Sequence, residues 1–567
     1  MMLSEKYKTR ICLGSLAVCA VVVIVVLVIH INYAFARRKT ITVNIPALGK
    51  IKGKRVELLD PKREIYEFHN IPYALPPIGN KRFSAAEICS KNENCREGPG
   101  IFDASKDVEI KCIQYRAYPG ENHTENCLKL TIRSDNLSAS KPVIVWIHGG
   151  GLLDGHGNKD GYGFDAQVTD VLDAVTVNLN YRLGLLGFNV FEETWNDTSG
   201  VYANNGIRDQ TVALQWIQEN IASFGGDPQR VTIIGHSGGA TAVLCLLSSP
   251  LANNLFHNAW SISPAPEIRY GYKTGKGFQE FVPRVLGCTQ GTLVERRQCL
   301  LDLDPMKFTA MYLSEGNSMG LGYFDFPKRY SDLATEYVGL VYTDPTVITQ
   351  SFRELKDAPF RPSSKLKVIF SNTAQEPAGR TDAGVPGVKT RVFPKEALLR
   401  ETLTKLFKNI TNAKDIVDKT FDTLYPNKIP QLVWDTLVSD LRQTCPNNDV
   451  AEAMSQSPNH EVYRLYVSNT MELLPISSFH GWDTSALFGF KLNYVPGERD
   501  IKFQKELRRI LKNLAYGKIE NGWGKFPSKT MELGNGADIP EIKIKKPQEE
   551  ICNYFTALDI NKYGAQN

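Results

Sequence analysis

One stretch constrains this chain more than any other: Val231-Thr-Ile-Ile-Gly235-His236-Ser237-Gly238-Gly239-Ala240. Val231 to Ile234 is β-branched throughout, the composition of a buried strand. Ala240-Thr-Ala-Val-Leu-Cys-Leu-Leu then reads as an apolar helix. Between them stands Gly-x-Ser-x-Gly. That order lifts a serine onto a sharp strand-to-helix turn with its hydroxyl exposed above a sheet. The turn holds Ser237 in strained backbone geometry, where neighbouring side chains would collide, hence the glycines. The five-residue pattern alone is common by chance, so its meaning depends on what the rest of the chain supplies.

Residues 41–60 open with alternating apolar and polar residues, which predicts a hairpin. A Pro-rich loop runs from Phe68 to Gly79. The region holding Cys89, Cys95, Cys112 and Cys127 reads as loop-rich. Pro142-Val-Ile-Val-Trp-Ile147 is a strand running straight into His148-Gly149-Gly150-Gly151, and Val175-Thr-Val-Asn-Leu is a second buried strand. Leu214, Ile217, Ile221 and Phe224 recur at helical spacing, so the pattern predicts a helix over 206–223, ended by Gly225-Gly226. Leu366–Phe370 and Val462–Val467 read as further strands. Residues 265–365 and 380–440 read as mostly helical insertions. Strands alternating with helices predict an α/β fold, a mostly parallel sheet flanked by helices, with functional groups at the strands' carboxyl ends.

A serine hydroxyl is a poor nucleophile near neutral pH. It needs a base to take its proton and a third group to orient that base. In a strand-turn-helix setting of this kind the chain order is serine, acid, histidine. His460 and His480 follow any candidate acid. His460 precedes a strand and so falls at its amino end, the wrong edge of a parallel sheet. His480, in the loop after that strand, falls at the right edge. Glu376 is the first carboxylate past the strand ending at Phe370; Asp382, six residues on, is the other candidate. The bland alternatives are a solvated loop glutamate and a surface histidine. The amides of His148-Gly-Gly-Gly, with that of Gly238, would serve as an anion site for a tetrahedral intermediate. A phosphate cradle is the competing use of such a loop, but neither G-x-x-x-x-G-K-[ST] nor G-x-G-x-x-G occurs. No zinc-ligand spacing occurs either. The sequence therefore predicts no cofactor and no metal.

Charge locates the chain rather than its partners. Lys6, Lys8, Arg10, Arg37, Arg38 and Lys39, set against Glu5, account for the whole formal net charge of +5. The remainder is balanced, which argues against nucleic-acid binding. Between these basic clusters, Ile11 to Ile29 carries no charge, close to the ~30 Å that spans a bilayer core. The expected organisation is a cytoplasmic tail at 1–10, a transmembrane signal anchor at 11–32, a basic juxtamembrane segment at 33–40 and one large domain at 41–567. Ala34-Phe-Ala36 offers a cleavage site, so a secreted form is the alternative. No apolar tail follows at the carboxyl end, which argues against a second span or a lipid-anchor signal. Asn122, Asn136, Asn196 and Asn409 head glycosylation sequons. With spaced cysteines they place the domain in an oxidising lumen or exterior, as a single-pass type II membrane protein; a cytosolic domain with free thiols is the competing reading.

These residues resemble a known family. Asn205-Gly-Ile-Arg-Asp-Gln-Thr-Val-Ala-Leu-Gln-Trp through Phe-Gly-Gly-Asp-Pro228, the Gly235-His-Ser-Gly-Gly block, Phe68 to Phe83, the His148 glycine run and Asn180-Tyr-Arg-Leu-Gly184 are similar to type-B carboxylesterases and cholinesterases of the α/β-hydrolase fold, over roughly residues 41–555. The resemblance implies a Ser237, Glu376, His480 triad with oxyanion donors Gly150, Gly151 and Gly238. It implies hydrolysis of small carboxylic esters through an acyl-enzyme. It also implies disulfides Cys112–Cys127, Cys288–Cys299 and Cys445–Cys552, with Cys89–Cys95 as an extra pair and Cys245 as a buried thiol. The chain departs from the family in several places. Ser371 and Pro377 replace the glycines flanking the acid's motif, His236 replaces a glutamate, and Glu125-Asn126 stands for Glu-Asp. The segment between Cys112 and Cys127 has no tryptophan on which a choline could stack, which argues against acetylcholine as substrate. Two other functions share these motifs: an adhesion ectodomain without activity, and an acyltransferase in which another acceptor replaces water.

Overall fold

The computed structural model describes residues 39–558, apart from 47, 59–62, 90–94, 96–99, 116–119, 196–202, 267–270, 272, 274–275, 277–278, 311–340, 358–364, 379–391, 408–411, 473–476, 491–493 and 537–539. The expected membrane segment at 11–32, the alternative acid Asp382 and the sequons at Asn196 and Asn409 lie outside the described residues. Among the described residues no helix is long and apolar enough to cross a membrane.

A large mixed sheet of thirteen strands among the described residues organises the chain. In chain order its strands are β1 (Thr40–Ile45), β2 (Gly49–Glu57), β3 (Glu64–Pro72), β4 (Phe102–Asp103), then, after a separate two-stranded ribbon of β5 (Lys111–Cys112) and β6 (His123–Thr124), β7 (Lys129–Ser134) and β8 (Lys141–Ile147). There follow β9 (Val175–Leu179), β10 (Gly226–His236), β11 (Asn258–Ile262), β12 (Leu366–Thr373), β13 (His460–Val467), β14 (Thr530–Leu533) and β15 (Glu541–Lys543). The spatial order is β1-β2-β3-β7-β9-β8-β10-β11-β12-β13-β14-β15, with β4 beside β2. From β9 to β14 every neighbouring pair is parallel; the pairs before β9 along that path, and β14–β15, are antiparallel. The expected hairpin at 41–60 is β1–β2.

Side chains of a strand alternate between faces, so each central strand feeds two cores. Val143, Val145 and Ile147 of β8 join one cluster with Leu214 and Ile217, while Ile144 and Trp146 join another with Phe503, Leu507 and Leu511. Val368 and Phe370 of β12 likewise part company with Ile369. The helix Asn205–Asn220 covers the first face and the helix Glu498–Ala515 covers the second. Near its end the first helix tightens into a 3₁₀ turn, Ile221–Phe224, closed by Gly225 at φ +79°. β10 begins directly at Gly226, five residues earlier than the β-branched run suggests, with a register shift against β8 before Val231.

A third apolar cluster lies apart from the sheet. Leu399 and Leu403, Val433 and Leu437, and Ile551 and Phe555 come from three helices packed on one another. Cys445–Cys552 ties the last of these, Glu549–Ala557, to the helix Cys445–Ser455. Cys89–Cys95, Cys112–Cys127 and Cys288–Cys299 are also bonded, and Cys245 is a buried free thiol. All four pairings match the expected ones. Asn122 and Asn136 are exposed.

Closing a long loop restricts the unfolded chain, and Cys445–Cys552 spans a sequence separation of 107. The double variant C445S/C552S should therefore lose about 2–5 kcal/mol of stability, read as a lowered urea midpoint. A wild-type midpoint would show that packing alone holds the last helix.

Candidate active site

β10 delivers Ser237. The strand ends at His236, and the helix Gly238–Leu247 begins one residue later. All ten residues of that helix are buried, and its one polar side chain, Thr241, is hydrogen-bonded to the Ala265 backbone, as a helix in the middle of a core requires. Ser237 itself, half-buried, sits at φ 58°, ψ −126°, a costly conformation for a residue with a Cβ. Its neighbours hold it there. The Ser237 N–H donates to the Ile262 carbonyl at 2.9 Å, and its own carbonyl accepts from Ala240 and Thr241. The motif's outer glycines are needed for closeness: a Cβ on Gly235 would lie 2.3 Å from the Gly239 carbonyl oxygen, and one on Gly239 would lie 2.1 Å from that of Ile147.

The parallel register brings the neighbouring loop alongside. Gly235 pairs with Ile147 at the end of β8, so His148-Gly-Gly-Gly leaves the sheet beside the serine turn. Gly150 and Gly151 take φ +114° and +63°. The backbone nitrogens of Leu152 and Gly151 lie 2.8 and 3.0 Å from where a Gly238 Cβ would stand. Gly238 is also the first residue of its helix, and first-turn N–H groups have no intrahelical acceptor. The glycine loop thus presents backbone nitrogens against the first residue of the helix that follows the serine. The loop is braced from outside: the Gly155 N–H donates to Gln114 Oε1 at 2.6 Å and the Tyr115 N–H to the Leu153 carbonyl at 3.1 Å. His148 supports it from within, stacked on Tyr181 and donating from Nδ1 to the Gly149 carbonyl; burial pushes its basicity down to about 4, so its ring is neutral.

β12 and β13 deliver the other two residues. Their ends are level, Thr373 opposite Val467. The loops beyond them are laced together: the Gln375 N–H donates to the Ser478 carbonyl, the Ser478 N–H returns to Gln375 Oε1, both at 2.9 Å, and the His480 N–H donates to the Glu376 carbonyl at 3.2 Å. This brings His480 Nδ1 into a hydrogen bond with Glu376 Oε2. Glu376 Oε1 accepts from Ser263 Oγ and the Thr373 N–H, each at 2.7 Å. Burial pushes the Glu376 carboxyl up to about 7, against the pull of those donors. A carboxylate so starved of water gains most when its partner carries a proton, which suits a base that becomes an imidazolium during reaction. The His480 ring lies 4.3 Å, centre to centre, from that of His236, directly before Ser237.

His480 and Glu376, expected from separate stretches, are thus bonded beyond the carboxyl ends of β12 and β13, and Ser237 stands at the carboxyl end of β10, directly after the residue whose ring packs on His480. His460 does not join them. It opens β13 at the opposite edge, and burial lowers its basicity to about 4. Ser371 occupies the place of a family glycine without disturbing the acid, because it lies within β12, where its hydroxyl accepts from the Trp260 indole at 2.8 Å. The sequence did not reveal Ser263, Tyr162 or Gln114. No pattern marks such contacts, which join side chains far apart in the chain. Glu67, His69 and Asp107 are close enough to suggest a cation site. Lys54 and Arg133 already meet Glu67 at 2.9 and 2.8 Å, and Lys54 meets Asp107 at 3.5 Å, so the trio belongs to an ion-pair network.

A model of the Carboxylesterase family matches residues 39–554. Among individual relatives, the chain is 40% identical over 204 residues to a phenmedipham hydrolase of Pseudarthrobacter oxydans, covering 35% of this chain and 39% of that protein. It is 34% identical over 298 residues to an acetylcholinesterase of Danio rerio, covering 48% and 44%. It is 35% identical over 266 residues to liver carboxylesterase 1 of Oryctolagus cuniculus, covering 44% and 45%. The chain thus spans less than half the length of these relatives where it matches them.

The packing at Gly238 yields a direct test. A methyl group there meets backbone nitrogen of the glycine loop at 2.8 Å, so G238A should cost about 1–3 kcal/mol through overpacking, seen as a lower urea midpoint. Unchanged stability would mean that the loop can withdraw freely from the helix.

Proposed function

This chain belongs to the Carboxylesterase family, and from that we propose that it is a serine hydrolase of the α/β-hydrolase fold that cleaves carboxylic esters of small molecules. Ser237 Oγ attacks the ester carbonyl as His480 takes its proton. Glu376 keeps the Nδ1–H of His480 in place and stabilises the imidazolium. Amides of Gly150, Gly151 and Gly238 receive the oxyanion. The alcohol leaves with the proton from His480, and water, activated by the same ring, releases the acid from the acyl-enzyme. The observation that carries this reading is the Glu376–His480 hydrogen bond, set on laced loops beside a serine in strained geometry. The lack of a tryptophan between Cys112 and Cys127 favours uncharged alcohol groups over choline.

We further propose that residues 11–32 anchor the chain, with 1–10 cytoplasmic and the domain from 41 onward lumenal or extracellular. Four disulfides among the described residues suit an oxidising compartment, and exposed Asn122 and Asn136 suit glycan attachment.

Turnover of p-nitrophenyl acetate tests the chemistry. S237A should abolish it while leaving secretory expression intact. E376Q should lower kcat by about 10²–10⁴, on the scale of a lost orienting carboxylate, whereas D382N should leave it near wild type. Substantial turnover by S237A would place the chemistry elsewhere, and a damaging D382N with a mild E376Q would reassign the acid. Topology is read separately. The full chain expressed in cells should resist alkaline extraction from membranes and gain mobility on glycosidase treatment. Carbonate-soluble, glycan-free protein would contradict the anchor and the lumenal placement.

A further inference from the structure

His236 is a titratable side chain at the active serine that the proposed mechanism does not use. It ends β10 and is 3% exposed. Its Nδ1 is hydrogen-bonded to the Tyr162 hydroxyl, and its ring lies 4.3 Å from that of His480, tilted by 36°. Tyr162 is itself fixed. It stands edge-on to Trp146 at 5.3 Å, with the Lys159 ammonium 5.6 Å from its ring centre. Its hydroxyl lies 2.5 Å from where a Gly149 Cβ would be, so the glycine loop leaves room for this contact. Gly481 does the same on the other side, where a Cβ would lie 3.4 Å from His236 Cε1.

We infer that His236 is a positioning residue for His480: clamped by Tyr162, it holds the ring of the base in register and keeps a second carboxylate away from it. The inference rests on the catalytic reading of Ser237 and His480. Its logic is electrostatic. Among the described residues, the titratable and charged groups shown facing His236 are the Tyr162 hydroxyl backed by Lys159 and His480 with Glu376 behind it; Asp483 lies three residues past the base in the chain. Burial and the charge of Glu376 push the Asp483 carboxyl up to about 7, so it too is reluctant to carry charge. A carboxylate at position 236 would stabilise the imidazolium of His480 before substrate arrives, and the base would be lost at a higher pH. A neutral imidazole does not. The base thus stays available further into the acid range than a carboxylate neighbour would permit.

The test compares wild type, H236Q, H236E and Y162F. H236E should move the acid limb of kcat/KM for p-nitrophenyl acetate upward by about one to three pH units, the usual effect of an added opposite charge at this range. H236Q should leave that limb within about 0.3 units, and should lower kcat about tenfold with KM unchanged. Y162F should act in the same direction as H236Q, and the double variant should be no worse than H236Q, as expected of two groups acting as one unit. H236N replaces H236Q if the latter fails to fold. A wild-type acid limb in H236E, or wild-type kcat in H236Q, overturns the inference. An NMR titration of His480 in wild type and H236E reads the same shift without turnover. Inactive wild-type protein would therefore defeat the catalytic reading, while an unmoved titration would defeat this inference alone.

Discussion

A buried carboxylate bonded to an imidazole is the interaction on which this site depends. Glu376 is 1% exposed. Left alone, its charge would be costly, and burial does push its carboxyl upward. Ser263 and the Thr373 amide each give it a hydrogen bond, and His480 completes the set. Each partner comes from a different strand end: Ser263 from β11, Thr373 from β12 and His480 from beyond β13. The acid's hydrogen bonds therefore draw on the ends of three adjacent parallel strands, with β12 and β13 ending level and β11 two residues short of them. That ties the chemistry of one residue to the register of the sheet.

The same dependence runs on the serine side. Ser237 can hold its strained backbone because β10 is fixed between β8 and β11, and because a fully buried helix starts at the next residue. Gly235 and Gly239 let the helix approach the sheet more closely than any side chain would permit. Strain is thus offset by packing on both sides of the turn. The two halves meet where His236 touches His480, so one ring contact connects the nucleophile's strand to the base's loop.

Much of this was legible in the chain, for physical reasons. The β-branched run into Gly-x-Ser-x-Gly permits few other structures, and the strand–turn–helix at Ser237 is as expected. His480 could be preferred to His460 because a parallel sheet has two unlike edges, and His460 does open β13 at the far edge. Glu376 and Asp382 could not be separated from spacing alone. A loop has no period, and the bonds between Gln375 and Ser478 that orient Glu376 join residues about a hundred positions apart. β11 escaped notice because Asn258-Ala-Trp-Ser-Ile lacks a β-branched run. The early start of β10 was hidden by its polar beginning, Asp227-Pro-Gln-Arg. The disulfide pairs came from family resemblance, since nine cysteines outside the apolar segment do not dictate their own partners.

The central claim is that Ser237 is a nucleophile activated by His480 and Glu376. It is tested most directly by treating the full-length protein with a fluorophosphonate, digesting it and locating the adduct by mass spectrometry. The account predicts a single phosphonylated peptide carrying the mass on Ser237, with labelling that slows sharply when His480 is replaced by alanine. An unlabelled Ser237 in folded protein, or an adduct on another serine, would contradict it.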